Sequence, residues 1–383
     1  MNKSTFSSPF LEQAIDILEN AQGKIQTLQQ RQKLSIELAA LMLKEASLQE
    51  SSKEKRNQKE LSQMMHDLKG KAFTMAMTDE CFRSYRSQRI ANQLLFLLKK
   101  FGIPRYLCWS KKLQLKLFQK LARAFFFLFV PIIKWRLRQE SSSVIIPAEP
   151  NPFLQHIKKR KSEGVRLNLN HLGEAILGEK EALTRFNIYL EDLTKEDIEY
   201  VSIKISTIFS QINLIAWEDS LNLIASRLRQ LYRVAKAHTF TQRDGSCIPK
   251  FVNLDMEEYK DVHLTVAVFK KVLEEPEFHH FSAGIVLQAY LPDAHQIQKD
   301  LTEWAIARLK NKGAPIKIRL VKGANLAMEQ YEASLRGWPQ APYLTKLEVD
   351  ANYKQMVAYG CFPENAKAVH IGVASHNLFD IAY

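Results

Sequence analysis

Two different hydrophobic patterns divide the chain. In residues 1–140 apolar positions recur at helical spacing, for example at Leu11, Ile15 and Leu18, and this spacing predicts a region built of helices. After residue 164 short apolar runs alternate with longer helical stripes. That alternation predicts consecutive strand–helix units and therefore a parallel sheet.

The predicted strands are six short runs rich in β-branched residues, at 165–170, 201–206, 250–255, 284–289, 317–322 and 368–375. Neither a GxGxxG fingerprint nor a P-loop follows any of them, which argues against a dinucleotide-binding sheet or a nucleotide kinase. Repeated strand–helix units without such loops favour an α/β fold of the (β/α)8 barrel type. Because such a barrel needs eight strands, we expect this one to be truncated after six strands.

The Ser- and Pro-rich stretch SSSVIIPAEPNP separates the two patterns and predicts a linker. The expected organisation is a basic, all-α N-terminal region over 1–140, a linker over 141–163 and an incomplete barrel over 164–383. One apolar run, 121–135, is shorter than the roughly 20 residues that span a bilayer. It is either a buried helix or a segment that lies on a membrane surface.

Charge changes the picture of the N-terminal region. Residues 51–140 hold 20 Lys and Arg against 6 Asp and Glu, whereas the rest of the chain holds 34 against 35. A basic region of this kind suits anionic lipid, nucleic acid or an acidic partner, or it is simply a solvated face. No RNA-recognition, zinc-finger or helix-turn-helix pattern supports nucleic acid, so we expect none as a partner.

Cysteine usage and the N-terminus bear on the compartment. The 4 cysteines are widely spaced and form no CxxC pair, which argues against a disulfide framework or a zinc site and favours a reducing compartment. The first residues contain no apolar signal-peptide core. We therefore expect a cytoplasmic protein without a metal site.

Polar side chains concentrate where the predicted strands end, which is the active-site face of such barrels. Five consecutive strands supply them, through Lys204, Asn253, Asp255, Gln288, Arg319, Lys322, Ser375 and His376. A set of this kind is costly in an apolar interior unless it binds a ligand. Cations outnumber the one evident carboxylate, so an anionic ligand is expected. Gly323 and Ala324 would let backbone N–H groups approach it closely.

Three chemistries compete on these residues. A Schiff-base aldolase would use Lys204 or Lys322 as a desolvated amine. A metallohydrolase would need clustered histidines and carboxylates, and the lack of an HxH motif at the first strand argues against it. A phosphate-bearing cofactor such as a flavin would use the Arg, Lys and Gly of the fifth strand. The spacing does not choose between the first and the third.

Four long motifs carry a family resemblance: FVNLDMEEYKD (251–261), GIVLQAYLPD (284–293), IKIRLVKGANLAMEQ (316–330) and IGVASHNLFDIAY (371–383). They resemble successive strand motifs of the proline dehydrogenase barrel in PutA-type bifunctional proteins, and the likeness extends over residues 70–383. The resemblance implies an FAD-dependent oxidation of L-proline to 1-pyrroline-5-carboxylate by hydride transfer to the flavin. It also implies a membrane quinone as electron acceptor and contact with the inner face of the membrane.

The resemblance implies roles for individual residues. Asp255 and Arg319 match catalytic positions, with Arg319 near the reactive flavin nitrogen, and Lys204 matches the lysine that binds the proline carboxylate. Glu174 fits a catalytic role and a helix start equally, and Asn325 stands where many members have Tyr. The implied cofactor-binding residues are Met256, Gln288, Val321, Lys322, Gly323, Ala324, Thr345, Lys346, Ser375 and His376.

Ordinary structural roles are the alternatives for several of these residues. Lys204 and Arg319 could form ion pairs with Asp255. His376 could be a hydrogen-bonded core residue, and Gln288 could only cap a strand end.

The resemblance further implies parts that this sequence lacks: two barrel strands, a final helix with paired arginines, and an aldehyde dehydrogenase domain. The chain would then be a fragment, one product of a split gene completed by a partner chain, or a decayed remnant. The alternative function is a binding module without turnover, which docks on a membrane or a partner through residues 51–140.

Overall fold

The protein is described by a computed structural model that covers residues 8–23, 27–141, 146, 149–171, 176, 178–242 and 244–383. Two units, Met1–Phe153 and Leu154–Tyr383, each have a dense set of internal contacts. None of the helices in the described residues is long and apolar enough to span a bilayer.

In its described residues the first unit contains helices joined by turns and no strand, as the apolar spacing predicts. Polar side chains at Ser8, Thr27, Ser51 and Asp67 cap the first four helices by accepting backbone N–H groups. The helices are α1 (Pro9–Ala21), α2 (Leu28–Gln49), α3 (Ser52–Met65), α4 (Leu68–Ala76), α5 (Ser87–Phe101) and α6 (Trp109–Ser141), with a π-helical turn at Met77–Cys81.

α6 consists of two helical segments rather than one straight helix. Phe125 has non-helical backbone angles, with φ −120° and ψ 29°. The ring centroids of Phe118 and Phe129 are 5.8 Å apart, although a straight helix would separate these positions by about 16 Å along its axis. The chain therefore reverses at Phe125. The apolar run 121–135, for which a buried helix and a membrane-surface segment were the two alternatives, is therefore not one continuous helix but the tip of a helical hairpin.

The segment predicted as a linker, 141–163, contains a helix. α7 spans Pro150–Ser162, so the structure differs from the prediction over its second half. A proline is tolerated in the first helical turn, where its missing N–H would have no helical partner. The boundary between the two units lies inside α7.

The second unit is built around a parallel sheet of six strands, in the order β1, β2, β5, β6, β7 and β8. This arrangement confirms the predicted α/β fold class. A separate antiparallel hairpin, β3–β4, was not predicted. The strands are β1 (Leu169–Asn170), β2 (Tyr200–Ile203), β3 (Thr239–Thr241), β4 (Cys247–Pro249), β5 (Phe251–Leu254), β6 (Gly284–Gln288), β7 (Ile316–Val321) and β8 (Val369–Val373).

Helices connect successive strands of the sheet, as parallel pairing requires. Two short 3-10 turns, Tyr259–Asp261 and Pro276–Phe278, flank α11. The helices are α8 (Glu179–Thr194), α9 (Ile205–Ile208), α10 (Trp217–Ala237), α11 (Val262–Leu273), α12 (Ala294–Lys310), α13 (Leu326–Arg336), α14 (Lys346–Gly360), α15 (Pro363–Ala368) and α16 (Leu378–Ala382).

The alternation along β7 determines which side chains reach the site. Ile316, Ile318 and Leu320 are fully buried on one face. Lys317 and Arg319 project from the opposite face and are only partly buried. Because successive side chains of a strand point to opposite sides, the apolar positions fix Arg319 on the face that also carries the polar residues of β2 and β5.

Candidate active site

The polar residues predicted at the strand ends lie along one edge of the sheet. Lys204, Asp255 and Lys322 directly follow β2, β5 and β7, and Gln288 is the last residue of β6. The strands pair in parallel throughout. Their carboxyl ends therefore bring together residues that are far apart in the sequence, as the sequence analysis predicted.

Asp255 is the centre of one polar cluster. Its Oδ1 accepts hydrogen bonds from Arg319 Nη2 at 3.0 Å and from Asn253 Nδ2 at 2.8 Å. Its Oδ2 accepts one from Asn170 Nδ2 at 3.2 Å. The Asp255 residue is only 7% exposed, so its charge is compensated mainly by Arg319. The ion pair between Arg319 and Asp255, considered above as an ordinary structural role for Arg319, is therefore present in the structure.

Lys204 pairs with a different carboxylate, that of Glu257. Lys204 Nζ lies 2.8 Å from Glu257 Oε1, and Ser206 Oγ donates to Glu257 Oε2 at 2.7 Å. Burial alone would raise the pKa of the Glu257 carboxyl, but the hydrogen bonds from Lys204 and Ser206 outweigh it and lower this pKa. Glu257 is therefore ionised at neutral pH and forms an ion pair with Lys204.

Lys322 is held by two carboxylates. Its Nζ lies 2.6 Å from Asp350 Oδ1 and 2.7 Å from Asp380 Oδ2. Burial lowers the pKa of Lys322, but the two carboxylates outweigh burial and raise it. Lys346 Nζ also contacts Asp350, at 2.6 Å, and Ser375 Oγ donates to Asp380 at 2.7 Å. Lys322, Lys346 and Ser375 thus belong to one network.

The predicted excess of positive charge at the strand ends is wrong. Glu257, Asp350 and Asp380 neutralise it, and none of these three carboxylates was among the predicted site residues. Glu257 stands two residues after Asp255, and Asp350 lies four residues after Lys346 on α14. These spacings place each carboxylate near a predicted site residue. Because carboxylates are common at exposed helix and loop positions, the spacings alone were only a weak indication that Glu257 and Asp350 belong to the site.

Three residues of the predicted polar set have a buried polar atom without a hydrogen-bond partner in the described part of the chain. They are Asn253, through Oδ1, Gln288, through Oε1, and Arg319, through Nε. Gln288 Nε2 donates to the main-chain oxygen of Glu257 at 3.2 Å, so this residue contacts the loop after β5. Met256 is buried in that loop, and Val321 ends β7 with its backbone oxygen accepting the N–H of Ala289 at 2.8 Å.

The turn after β7 needs a glycine for a reason in addition to the predicted close approach to a ligand. Gly323 has φ +122°, and a Cβ there would lie within 2.7 Å of the Tyr290 ring. The group that a Cβ at Gly323 would clash with is therefore the Tyr290 side chain of the protein itself. Ala324 next to it is exposed, and Asn325 Nδ2 donates to the main-chain oxygen of Glu257 at 2.8 Å.

The remaining predicted residues lie at helix and strand ends. Thr345 caps α14, accepting the N–H of Glu348 while the Glu348 carboxylate accepts the N–H of Thr345 at 2.9 Å. His376 is exposed, so the alternative of a core histidine is wrong. Glu174 lies outside the described residues.

A cavity of about 410 Å³ lies beside this edge of the unit. Glu258 and Tyr259 from the loop after β5, and Met328 and Glu329 from α13, contribute to its lining, together with Trp338. None of Lys204, Asp255 and Arg319 lines it. We therefore locate the candidate site at the polar strand ends rather than in this cavity.

Comparison with known proteins identifies the family. The model of the proline dehydrogenase family matches residues 153–383. The chain belongs to the proline dehydrogenase family. A curated member, proline dehydrogenase 2 of Bacillus subtilis (strain 168), is 23% identical over 227 residues, which are 58% of this chain and 61% of that protein.

Solved structures of proline utilization A (PutA) share the fold. The protein from Corynebacterium freiburgense is 43% identical with a TM-score of 0.59 over 73% of this chain. PutA from Bdellovibrio bacteriovorus, inactivated by N-propargylglycine, is 30% identical with a TM-score of 0.60 over 86%. A mutant of PutA from Bradyrhizobium japonicum, at 18% identity and a TM-score of 0.57, matches along the whole chain and supports the fold alone.

The matches cover only part of the relatives. This chain spans 27% of the Corynebacterium protein and 34% of the Bdellovibrio protein. The proline dehydrogenase family match nevertheless confirms the predicted resemblance.

Proposed function

We propose that this chain carries the site for FAD-dependent oxidation of L-proline to 1-pyrroline-5-carboxylate, the first step of proline catabolism to glutamate. The observation that carries the proposal is the meeting of Lys204, Asp255 and Arg319 at one edge of a parallel sheet in a proline dehydrogenase family chain. Proline oxidation removes a hydride from carbon and a proton from nitrogen, so an electron acceptor must lie next to the substrate. Because L-proline carries a carboxylate, the site must also hold that group in place.

Lys204 is the residue that would bind the proline carboxylate. One of its three N–H groups is used by Glu257, which leaves two for a ligand. Its side chain is 28% exposed and therefore reachable. Asp255 would keep the Arg319 guanidinium in place through their 3.0 Å contact, and Arg319 would supply a fixed positive charge beside the reacting groups.

The residues present fit FAD. The unpartnered Gln288 Oε1 and Arg319 Nε, an acceptor and a donor, match the mixed donor and acceptor edge of a flavin ring. When bound, FAD supplies the two-electron acceptor for the hydride. The residues that would hold it are Met256, Gln288, Val321, Lys322, Gly323, Ala324, Thr345, Lys346, Ser375 and His376.

The test is to purify the chain, saturate it with FAD, remove free cofactor and record the absorbance spectrum. We expect retained flavin absorbance that bleaches on anaerobic addition of L-proline, together with a product that is lighter by two hydrogens. D-proline serves as the control substrate. A protein that retains no FAD, or whose flavin is not reduced by L-proline, would contradict the proposal.

We propose a second property, contact with an anionic membrane surface through α6, because large apolar side chains are exposed around its reversal. Phe127, Leu128, Ile132 and Trp135 are each more than half exposed. Exposed basic side chains lie close by in the sequence, at Lys116, Lys120 and Arg123. Apolar insertion combined with basic attraction is the usual way in which proteins lie on anionic membranes.

This contact would place the protein at the cytoplasmic face of a membrane, where a quinone could reoxidise the flavin. Co-sedimentation with vesicles tests it. We expect binding to vesicles that contain anionic lipid, weaker binding in high salt, and loss of binding in the Phe127→Ser/Leu128→Ser variant. Equal sedimentation with neutral and anionic vesicles would contradict a contribution of the basic side chains to membrane binding. Unchanged binding of the variant would contradict insertion of the apolar side chains at the reversal of α6.

We also propose that further polypeptide completes the sheet, either in this protein or on a partner chain that carries an aldehyde dehydrogenase domain. Within the described residues β1 and β8 each pair with only one neighbour. Val373 of β8 is 44% exposed, which is unusual for a parallel strand. Co-expression with a candidate partner, followed by co-purification and measurement of turnover, tests this proposal. A chain that is fully active alone would contradict it.

A further inference from the structure

Glu257 connects the ends of three strands. Its carboxylate binds Lys204 after β2 at 2.8 Å and Ser206 at 2.7 Å. Its main-chain oxygen accepts hydrogen bonds from Gln288 Nε2 at the end of β6 and from Asn325 Nδ2 after β7. Side-chain amides thus fix the backbone from which the Glu257 carboxylate reaches Lys204.

The pair has the properties of a positioning contact. The Glu257 side chain is 32% exposed and the Lys204 side chain 28% exposed, so the lysine is anchored and its side chain is still accessible. A free lysine side chain has many rotamers, and fixing it on binding costs affinity. An ammonium that is already held in place avoids most of that cost.

We propose that Glu257 is a positioning residue that holds the Lys204 ammonium ready for the carboxylate of an amino-acid substrate. The proposal rests on the proposed function for the identity of the ligand. The contact between Glu257 and Lys204 is independent of the proposed function and can be tested without any ligand. Ser206 supports the same orientation, because it donates to the second oxygen of Glu257.

Glu258 provides a matched control. It is the neighbouring glutamate, and its carboxylate pairs with Lys260 rather than with Lys204. Replacement of Glu258 removes an equal charge from the same loop and leaves the contact with Lys204 intact. The variants to compare are Glu257→Ala, Glu257→Gln and Glu258→Ala, each checked first for an unchanged melting temperature and circular dichroism spectrum.

The first measurement needs neither cofactor nor substrate. The full chain is treated with a limiting amount of formaldehyde and a mild borohydride, and methylation of Lys204 is quantified by peptide mass spectrometry. We expect Glu257→Ala to raise the rate at Lys204 about fivefold, the factor that corresponds to about 1 kcal/mol for a partly exposed ion pair. Glu258→Ala should leave it unchanged. Equal rates in Glu257→Ala and the wild type would overturn the proposal.

The second measurement uses the FAD-loaded chain. We expect Glu257→Ala to raise KM for L-proline about tenfold, the equivalent of about 1.4 kcal/mol, while kcat changes by less than about threefold. Glu257→Gln keeps the hydrogen-bonding geometry and should restore most of the affinity. In calorimetry, cyclopentanecarboxylate should bind Glu257→Ala more weakly, whereas the uncharged cyclopentanecarboxamide should bind both proteins alike.

The possible outcomes separate the two proposals. Equal loss of carboxylate and carboxamide binding in Glu257→Ala would show general damage to the site and overturn the positioning role. A wild-type chain that takes up no FAD and oxidises no proline would contradict the proposed function and the amino-acid ligand. The methylation rates would still decide whether Glu257 holds Lys204.

Discussion

Arg319 Nη2 lies 3.0 Å from Asp255 Oδ1, and this contact joins the ends of β7 and β5 across the intervening strand β6. Asp255 is 7% exposed, so removal of Arg319 would leave a buried carboxylate without its counter-ion. We expect Arg319→Met to lower the free energy of unfolding by about 2 kcal/mol, less than the roughly 3–5 kcal/mol of a fully buried pair because Arg319 is partly exposed. Urea unfolding measures this change.

The control for this prediction is Arg233→Met. Arg233 pairs with Glu277 on the surface, and loss of an exposed pair should cost at most about 1 kcal/mol. The double variant Asp255→Asn/Arg319→Met should recover part of the loss, since no charge is left unpaired. If Arg319→Met unfolds like the wild type, Asp255 must be compensated by other groups.

Lys322 links Asp350 on α14 with Asp380 on α16, so its replacement should destabilise the second unit in a pH-dependent way. Burial opposes ionisation of Asp350, but contacts with Lys322 and Lys346 lower its pKa below 3.8. The stabilisation is therefore complete above about pH 3.8 and is lost as the pH falls through the lowered pKa of the folded state. The raised pKa of Lys322 keeps it complete up to about pH 10.5.

We expect Lys322→Met to lower the melting temperature most at neutral pH, by the equivalent of about 2 kcal/mol. The difference from the wild type should shrink below about pH 3.8. Thermal unfolding across a pH series measures it, with the exposed Lys310→Met as the control. A difference that does not depend on pH would show that Lys322 stabilises the fold through packing rather than charge.

Asp261 carries a buried carboxyl that opposes folding at neutral pH. Burial raises its pKa from 3.8 to about 6, and its Oδ1 has no partner among the described residues. Because the folded state binds the proton more tightly, stability falls as the pH rises from about 3.8 to about 6, and the penalty is complete above that range.

Asp261→Asn should therefore stabilise the protein at pH 7.5 by up to about 3 kcal/mol, the equivalent of a shift of about two pKa units. At pH 4 the gain should be small, since the wild-type carboxyl is then largely protonated when folded. Melting temperatures at the two pH values test this, with exposed Asp300→Asn as the matched control. An equal change at both pH values would contradict a titration effect.

Gly284 allows side chains of β5 to pass close to β6. A Cβ at this position would meet Asn253 Oδ1 and lie 2.9 Å from Phe251 Cε1. We expect Gly284→Ala to lower the free energy of unfolding by about 1–3 kcal/mol through overpacking. It should also weaken FAD retention, because Asn253 donates to Asp255.

The matched control is Gly178→Ala, where a Cβ would have no neighbour within 4 Å. Gly178 is the N-cap residue of α8, a position where Gly is preferred to Ala, so its replacement should lower the free energy of unfolding by at most about 1 kcal/mol. Chemical unfolding and flavin retention are measured on both variants. If Gly284→Ala is as stable as Gly178→Ala, the neighbouring Phe251 and Asn253 side chains must shift without cost.

Local patterns predicted the larger elements because those elements bury a regular stripe. β7 alternates between buried Ile316, Ile318 and Leu320 and half-buried Lys317 and Arg319, which is the period expected for a strand. The hairpin β3–β4 escaped prediction because strands of three residues are too short to show a period. The reversal at Phe125 escaped it because apolar residues continue on both sides of the turn.

The sequence by itself determined the fold class, the order of the strands and the residues at their ends, because burial periodicity and long motifs are properties of neighbouring positions. Only the tertiary structure decided which charges meet. Lys204 pairs with Glu257 across 53 positions, and Lys322 pairs with Asp380 across three helices and a strand. Ion pairs of this kind depend on which strand ends lie side by side in the folded sheet, and the spacing of residues along the chain does not determine which charged side chains meet there.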